Sequence, residues 1–156
     1  MSTPTTGCQF AVTWRMRDKM EPLHATETGM SHLRYWAYCE CGYTGPYRTE
    51  ENQAAEDGAD HAFPGWRTLP IMRRREHKEL NYSGWLQWEA MAIAVYPSGW
   101  FEAGGPVRTE RLMGGSRHAP TMGPGGGYDM CARMIKHPTK QDVEQGSLFD
   151  TAGGEG

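Results

Sequence analysis

The chain has 156 residues and a formal net charge of −3, which gives room for one compact domain plus tails. That balance argues against coating nucleic acid by bulk electrostatics, while leaving local basic patches free to meet phosphate. Twenty glycines and ten prolines leave a modest aliphatic core, and six tryptophans and seven tyrosines compensate because each ring buries a large area.

In chain order, residues 1–7 are rich in Ser, Thr, Pro and Gly and read as a flexible N-terminus. They lack a signal-peptide profile, and no apolar run approaches the ~20 residues that cross a bilayer, so no membrane contact is expected and the expected location is cytoplasmic. Phe10, Val12, Trp14 and Met16 recur at period two, which predicts a strand. Residues 18–31 show no period and read as a loop. Leu33 to Cys39 reads as an aromatic strand ending in the turn Cys39-Glu40-Cys41-Gly42, and Tyr43 to Arg48 as a short return strand interrupted by Gly45-Pro46. The hydroxyl of Thr49, followed by Glu50 and Glu51, predicts a capped helix that continues to about His61, with Pro64-Gly65 forbidding continuation.

Arg73-Arg74-Arg75 precedes a second helical segment, and Ser83 is placed to cap a third, Gly84 to Val95, with Trp85, Trp88, Ala92 and Val95 at helical spacing. Turns follow over Trp100 to Gly105, then a strand over Val107 to Met113, the glycine-rich Gly123 to Gly127, and a last ordered piece, Tyr128 to Ile135. Beyond Lys136-His137-Pro138 the composition is that of a disordered tail. The expected fold is α+β: one small domain over 8–135 with short antiparallel strands and two to three helices. Within it 33–66 is a zinc-finger-like subregion, and 1–7 and 136–156 are tails.

The cysteines are Cys8, Cys39, Cys41 and Cys131. In a reducing compartment, closely spaced cysteines suggest metal ligation before disulfides. Cys39-x-Cys41-Gly42 resembles a zinc knuckle, and zinc takes four ligands, often two from a turn and two from a helix. On the following helix His61 and Asp57 are four residues apart on one face, so the expected zinc ligands are Cys39, Cys41, Asp57 and His61. His24, His32, Cys8 and Cys131 are alternative sources of the fourth ligand. The competing reading has ordinary reduced thiols and a histidine that serves only as a helix C-terminal cation.

Arg73, Arg74 and Arg75, with His77 and Lys78, form the densest positive cluster and are the candidate nucleic-acid contacts, with Trp66, Trp85, Trp88 or Trp100 available to stack on bases. Against this, an arginine run is often a solvated face, and tryptophans at helical spacing are often core. Catalysis finds little support. Gly123 to Gly127 lacks a P-loop lysine, no carboxylate cluster suggests a two-metal nuclease, and Arg117, His118, Asp129 and Cys131 each have an ordinary structural role open to them. A binding protein, not an enzyme, is expected. An unrecognised hydrolase or nuclease stands third, after a zinc-dependent nucleic-acid-binding or regulatory module.

Within the tail, Gln145-Gly146-Ser147-Leu148-Phe149 places two large apolar side chains in a polar setting, where an exposed pair suits capture by another protein's pocket. The pattern Gln-x-Ser-Leu-Phe resembles the peptide by which bacterial replication and repair proteins dock on the DNA polymerase sliding clamp. That resemblance implies Leu148 and Phe149 in the clamp pocket, Gln145 and Ser147 at its rim, and a role in DNA replication or repair, or a phage product that competes for the clamp.

Cys39-Glu-Cys-Gly-Tyr-Thr-Gly45, Glu51-Asn52, Glu56-Asp57 and Asp60-His-Ala-Phe-Pro-Gly-Trp-Arg67, followed by Leu69-Pro70, are similar to an uncharacterised family of actinobacteria and their phages. Tyr96-Pro97, Gly99-Trp100, Gly105 to Thr109, Arg117-His118 and Gly126 to Asp129 continue the likeness, which covers about residues 35–130. It implies no activity. The family's cysteine pair is usually separated by two residues, one more than here.

Overall fold

The computed structural model describes residues 6–18, 32–76, 79–115 and 117–136. Period-two alternation forms β1 (Phe10–Met16), which pairs antiparallel with β2 (Leu33–Cys39) so that Phe10 faces Cys39 and Met16 faces Leu33. Phe10 and Val12 pack on the core, whereas Trp14 and Met16, farther along the same face, are exposed. Among the described residues no third strand joins this ribbon. Between Tyr43 and Arg48 only two isolated bridges form, Tyr38 to Thr44 and Tyr35 to Arg48. The interruption is local, because Pro46 has no N–H to give a ladder.

Helix α1 (Glu51–Ala62) starts from Glu50, not Thr49, and has no side-chain cap. Its first turn is satisfied from a distance: the Asn52 N–H donates to the His118 carbonyl at 2.8 Å. Asn52 is itself buried, and its Oδ1 accepts the Cys131 N–H at 3.2 Å, tying the helix to the last strand. The helix buries small residues (Ala54, Ala55, Gly58, Ala59 and Ala62), which lets the β1–β2 ribbon approach closely. Gly58 is the tightest point, since a Cβ there would lie 2.1 Å from Phe10 Cδ2.

Beyond α1 a second sheet has the order β3 (Ile71–Met72), β4 (Val107–Leu112), β6 (Tyr128–Ile135), β5 (Thr121–Met122). The antiparallel expectation holds for β1–β2 and β5–β6, while β3–β4 and β4–β6 run parallel. A parallel neighbour needs a crossover, and α2 (Tyr82–Val95) supplies it between β3 and β4. This helix begins earlier than the pattern implied, because Asn81 and not Ser83 is its cap; Asn81 Oδ1 accepts the Gly84 N–H at 2.7 Å. Trp88 and Ala92 face inward, and Val95, expected on the same stripe, is exposed. These are the two α-helices among the described residues.

The core is aromatic, as composition demanded: Phe63, Trp66, Trp88, Tyr96, Trp100 and Phe101 cluster with Val107 and Met130. Each buried indole N–H finds an acceptor, Trp66 on Asp60, Trp88 on the Arg73 carbonyl and Trp100 on the Pro106 carbonyl. Tyr96 donates to the Pro70 carbonyl at 2.6 Å and accepts the Arg108 N–H at 3.0 Å, and burial pushes its phenol up to about 12. Among the described residues no helix is long and apolar enough to cross a membrane.

Gly58→Ala should destabilise the fold by about 1–3 kcal/mol despite alanine's better helix propensity, because the Phe10 ring must move; urea unfolding measures it. Stability should also fall as pH rises from 10 to about 12, where an unfolded Tyr96 ionises and the buried one does not. The slope over that window should be shallower in Tyr96→Phe.

Candidate metal centre

The register that sets Phe10 opposite Cys39 also brings Cys8, two residues before β1, to the end of β2. Cys39 closes β2, and the chain turns through Gly42, whose φ of 103° is a conformation that favours glycine. That turn carries Cys41 outward toward His61 in the last turn of α1. The thiol sulfurs of Cys8, Cys39 and Cys41 and an imidazole nitrogen of His61 all lie within 4.8 Å of one another, with Cys41 Sγ 3.2 Å from His61 Nε2. Zinc held tetrahedrally at ~2.3 Å from sulfur and ~2.0 Å from nitrogen sets its donors roughly 3.5–3.8 Å apart. The observed cluster closes on that geometry with shifts of side-chain size.

The surroundings hold the donors in place. The Tyr43 ring stacks on His61 with centroids 4.1 Å apart and planes within 4°, fixing the imidazole plane. The Cys39 N–H donates to the Tyr43 carbonyl and the Gly42 N–H to the Cys39 carbonyl, each at 3.0 Å, so the turn is closed by its own backbone. Without an ion the thiols are unequal. A backbone hydrogen bond from Cys41, joined by side-chain hydrogen bonds from His61, Cys41 and Cys8, brings Cys39 down to about 7 against the effect of burial. The Thr6 hydroxyl pulls Cys8 down, but its sulfur neighbours Cys39 and Cys41 and its desolvation outweigh that and leave the thiol raised. Three crowded sulfurs cannot all be thiolates without a cation among them, and a bound divalent ion deprotonates its thiol ligands outright.

Three of the four expected ligands, Cys39, Cys41 and His61, are therefore brought together, and Asp57 is not. Its carboxylate forms a two-pronged pair with Arg48, Oδ2 to Nε at 2.8 Å and Oδ1 to Nη2 at 2.9 Å, and this correction has a plain cause. Helical spacing puts Asp57 and His61 on one face, but Arg48 lies nearer that carboxylate than the sulfurs do, and Cys8 takes the fourth position. Pairing of the first strand with the second was the signal for Cys8, since it carries the residue before one strand to the turn after the other. Cys131 is buried in the core with its Sγ 3.4 Å from Met134 Sδ, and His24 lies outside the described residues.

The arginine run does not form a row facing solvent. Arg73 makes a fork with buried Glu79, both N···O distances 2.7 Å, and Arg74 donates to the Arg75 carbonyl at 3.2 Å. Arg75 lies over Trp85, 3.9 Å from the ring centroid. Of the tryptophans considered for base stacking, Trp66, Trp88 and Trp100 are core. His118 Nδ1 sits 3.2 Å from Glu50, while Asp129 accepts from Thr109 and Thr121. Gln145, Ser147, Leu148 and Phe149 lie outside the described residues.

The model of a family of unknown function, DUF6349, matches residues 1–140, and the chain belongs to that family. The match spans the metal centre and both sheets and stops short of Gln145–Phe149. No curated protein and no solved structure matches the chain.

Elemental analysis of the purified protein should find about one metal ion per chain, the number a single four-ligand centre holds. Cys8→Ser and Cys41→Ser should each lose most of it and lower the melting temperature, whereas Asp57→Asn should keep the metal and lose only the stability of its pair with Arg48.

Proposed function

We propose that this DUF6349 protein is a zinc-stabilised α+β binding module, not an enzyme, that docks on the bacterial DNA polymerase sliding clamp through Gln145–Phe149. The observation that carries the zinc reading is the convergence of three sulfurs and one imidazole nitrogen within 4.8 Å. Soft thiolate ligands in a tetrahedral set favour zinc over magnesium or calcium, which take oxygen ligands. All four positions are filled by protein, so no site is left for an activated water, and the ion's work is structural. Cysteines kept reduced for metal ligation at Cys8, Cys39 and Cys41 suit a reducing compartment such as the cytoplasm.

Structural zinc in small domains contributes on the order of 10 kcal/mol of folding free energy at neutral pH. That contribution matters most where the aliphatic core is thin, as it is between the β1–β2 ribbon and the alanine face of α1. The docking half of the reading is supported by the pattern Gln145-x-Ser147-Leu148-Phe149. A free peptide of this length binds weakly, on the order of micromolar, because ordering it opposes the burial of two side chains. The clamp's repeated pockets, or contacts from the folded domain, would raise occupancy without new peptide contacts. Recruitment of a replication or repair activity and competition with the host polymerase are both open to such a module. A nucleic-acid-binding module is the weaker reading, since Arg73 and Arg75 are engaged within the fold.

Capture of purified clamp by the full chain should be lost in the Leu148→Ala/Phe149→Ala double variant and retained in Arg73→Gln. Binding unchanged by the double variant, or none in the parent chain, would overturn the docking reading and leave the zinc reading standing.

A further inference from the structure

An arginine that is mostly out of water needs acceptors for five N–H groups, and each unmet one costs the full desolvation of a polar group. Arg75 is such a residue. Its side chain is 17% exposed, and among the described residues its only ion pair is with Asp129 Oδ2 at 3.7 Å, beyond hydrogen-bonding distance. Nη1 is fully enclosed and has no hydrogen-bond partner. Asp129 is already committed, accepting from the hydroxyls of Thr109 and Thr121. What holds Arg75 instead is ring face: the guanidinium lies 3.9 Å over Trp85 and 5.1 Å from the centroid of Trp88. Burial pulls this guanidinium below the usual arginine range, as expected for a cation short of acceptors.

Arg75 borders a cleft of about 290 Å³ between α2 and the β4–β6–β5 face of the second sheet. Arg74 and Arg111 line the same cleft, against the carboxylates Glu110 and Asp129. Glu110 is itself paired with Arg133, which leaves the cleft cationic. Arg111 is fixed by donating to the Ala119 and Asp129 carbonyls at 2.7 and 2.8 Å, so it contributes a held charge. Leu80 and Leu112 add apolar wall, and Leu80 is 67% exposed at the rim.

We propose that this cleft is a binding site for a small organic anion, a carboxylate or phosphate monoester carrying an apolar body about the size of one ring. Its charge is met by the guanidiniums of Arg74, Arg75 and Arg111 that line the cleft, and its body rests on Leu80 and Leu112. A guanidinium suits the oxygens of a carboxylate or phosphate, and one already seated against two indole rings loses little freedom on binding. The cleft volume is at the small end for ligand pockets, which limits the occupant to a compact molecule. The site is separate from the sulfur cluster and independent of whether that cluster holds zinc.

Phenyl phosphate titrated into the full-length, metal-loaded protein tests the assignment, with amide chemical shifts and Trp85 fluorescence as readouts. The expected result is saturable one-to-one binding with shifts confined to Arg75, Leu112, Gly115 and Thr121. Inorganic phosphate should bind several-fold more weakly, and benzyl alcohol, the ring without the charge, at least tenfold more weakly. Arg75→Lys should weaken phenyl phosphate about tenfold or more, since lysine keeps the charge and loses the planar guanidinium seated on the indoles. Should that variant fail to fold, Arg74→Gln at the cleft wall should still weaken binding several-fold. No saturation below about 10 mM, shifts that map elsewhere, or equal binding by benzyl alcohol would overturn the proposal. So would unchanged affinity in Arg74→Gln and in a folded Arg75→Lys.

Discussion

The constraint on which the metal-bearing half depends is the seating of the Phe10 ring over Gly58. Where a Cβ would have stood, the edge of the ring lies instead, and only glycine in the middle of α1 permits that approach. The contact fixes how far the β1–β2 ribbon slides along the helix. It thereby sets where Cys8, two residues upstream of Phe10, meets His61, three residues downstream of Gly58. Glycine inside a helix costs roughly 1 kcal/mol against alanine, so its presence here indicates that close packing repays more than that.

The two halves solve the same shortage by different means. Apart from Asn52, the buried residues of α1 are alanines and one glycine, which bring elements close but bury little area each, so that region gains from a polar cluster that can be cross-linked by one ion. Around α2 the area comes from Trp66, Trp88, Trp100, Phe101 and Tyr96, whose N–H and O–H groups are each given a backbone or side-chain partner. Asn52 joins the halves, anchored in α1 and accepting from β6. A single buried amide that satisfies both sides at once makes the junction intolerant of substitution there.

Local signals carried much of this architecture. The alternation from Phe10, the aromatic run to Cys39, the acidic start of α1, the stop at Pro64-Gly65 and the tryptophan spacing of α2 all correspond to elements of the fold. What the sequence could not show was pairing at a distance. Asp57 and His61 share a helix face, but Arg48 claims the carboxylate, and that competition appears only when the turn folds back over the helix. Likewise the caps at Glu50 and Asn81 differ from the expected Thr49 and Ser83: the first turn of α1 takes its partner from the His118 carbonyl, and that of α2 from Asn81 Oδ1, two residues before Ser83. The parallel strand order also escaped a local reading, since no pattern within Val107–Leu112 or Tyr128–Ile135 states which neighbour it will have.

Charge density in a sequence is a poor guide to charge available at a surface, and Arg73–Arg75 shows why. Three consecutive cations repel unless each finds its own compensation, and successive side chains in an extended segment point different ways. Arg73 turns to Glu79, Arg74 to the backbone of its neighbour, and Arg75 to two indole faces. The run is therefore engaged with partners of its own chain, fastening the segment after β3 to α2 and the second sheet. Of the three, Arg75 alone ends with a charge matched more by ring quadrupoles than by hydrogen bonds, with Nη1 left unmet. A fixed, underfilled cation beside a cleft is a different object from a solvated basic patch: it selects for the shape of an anion as well as its charge, where a patch of mobile lysines would select for charge alone.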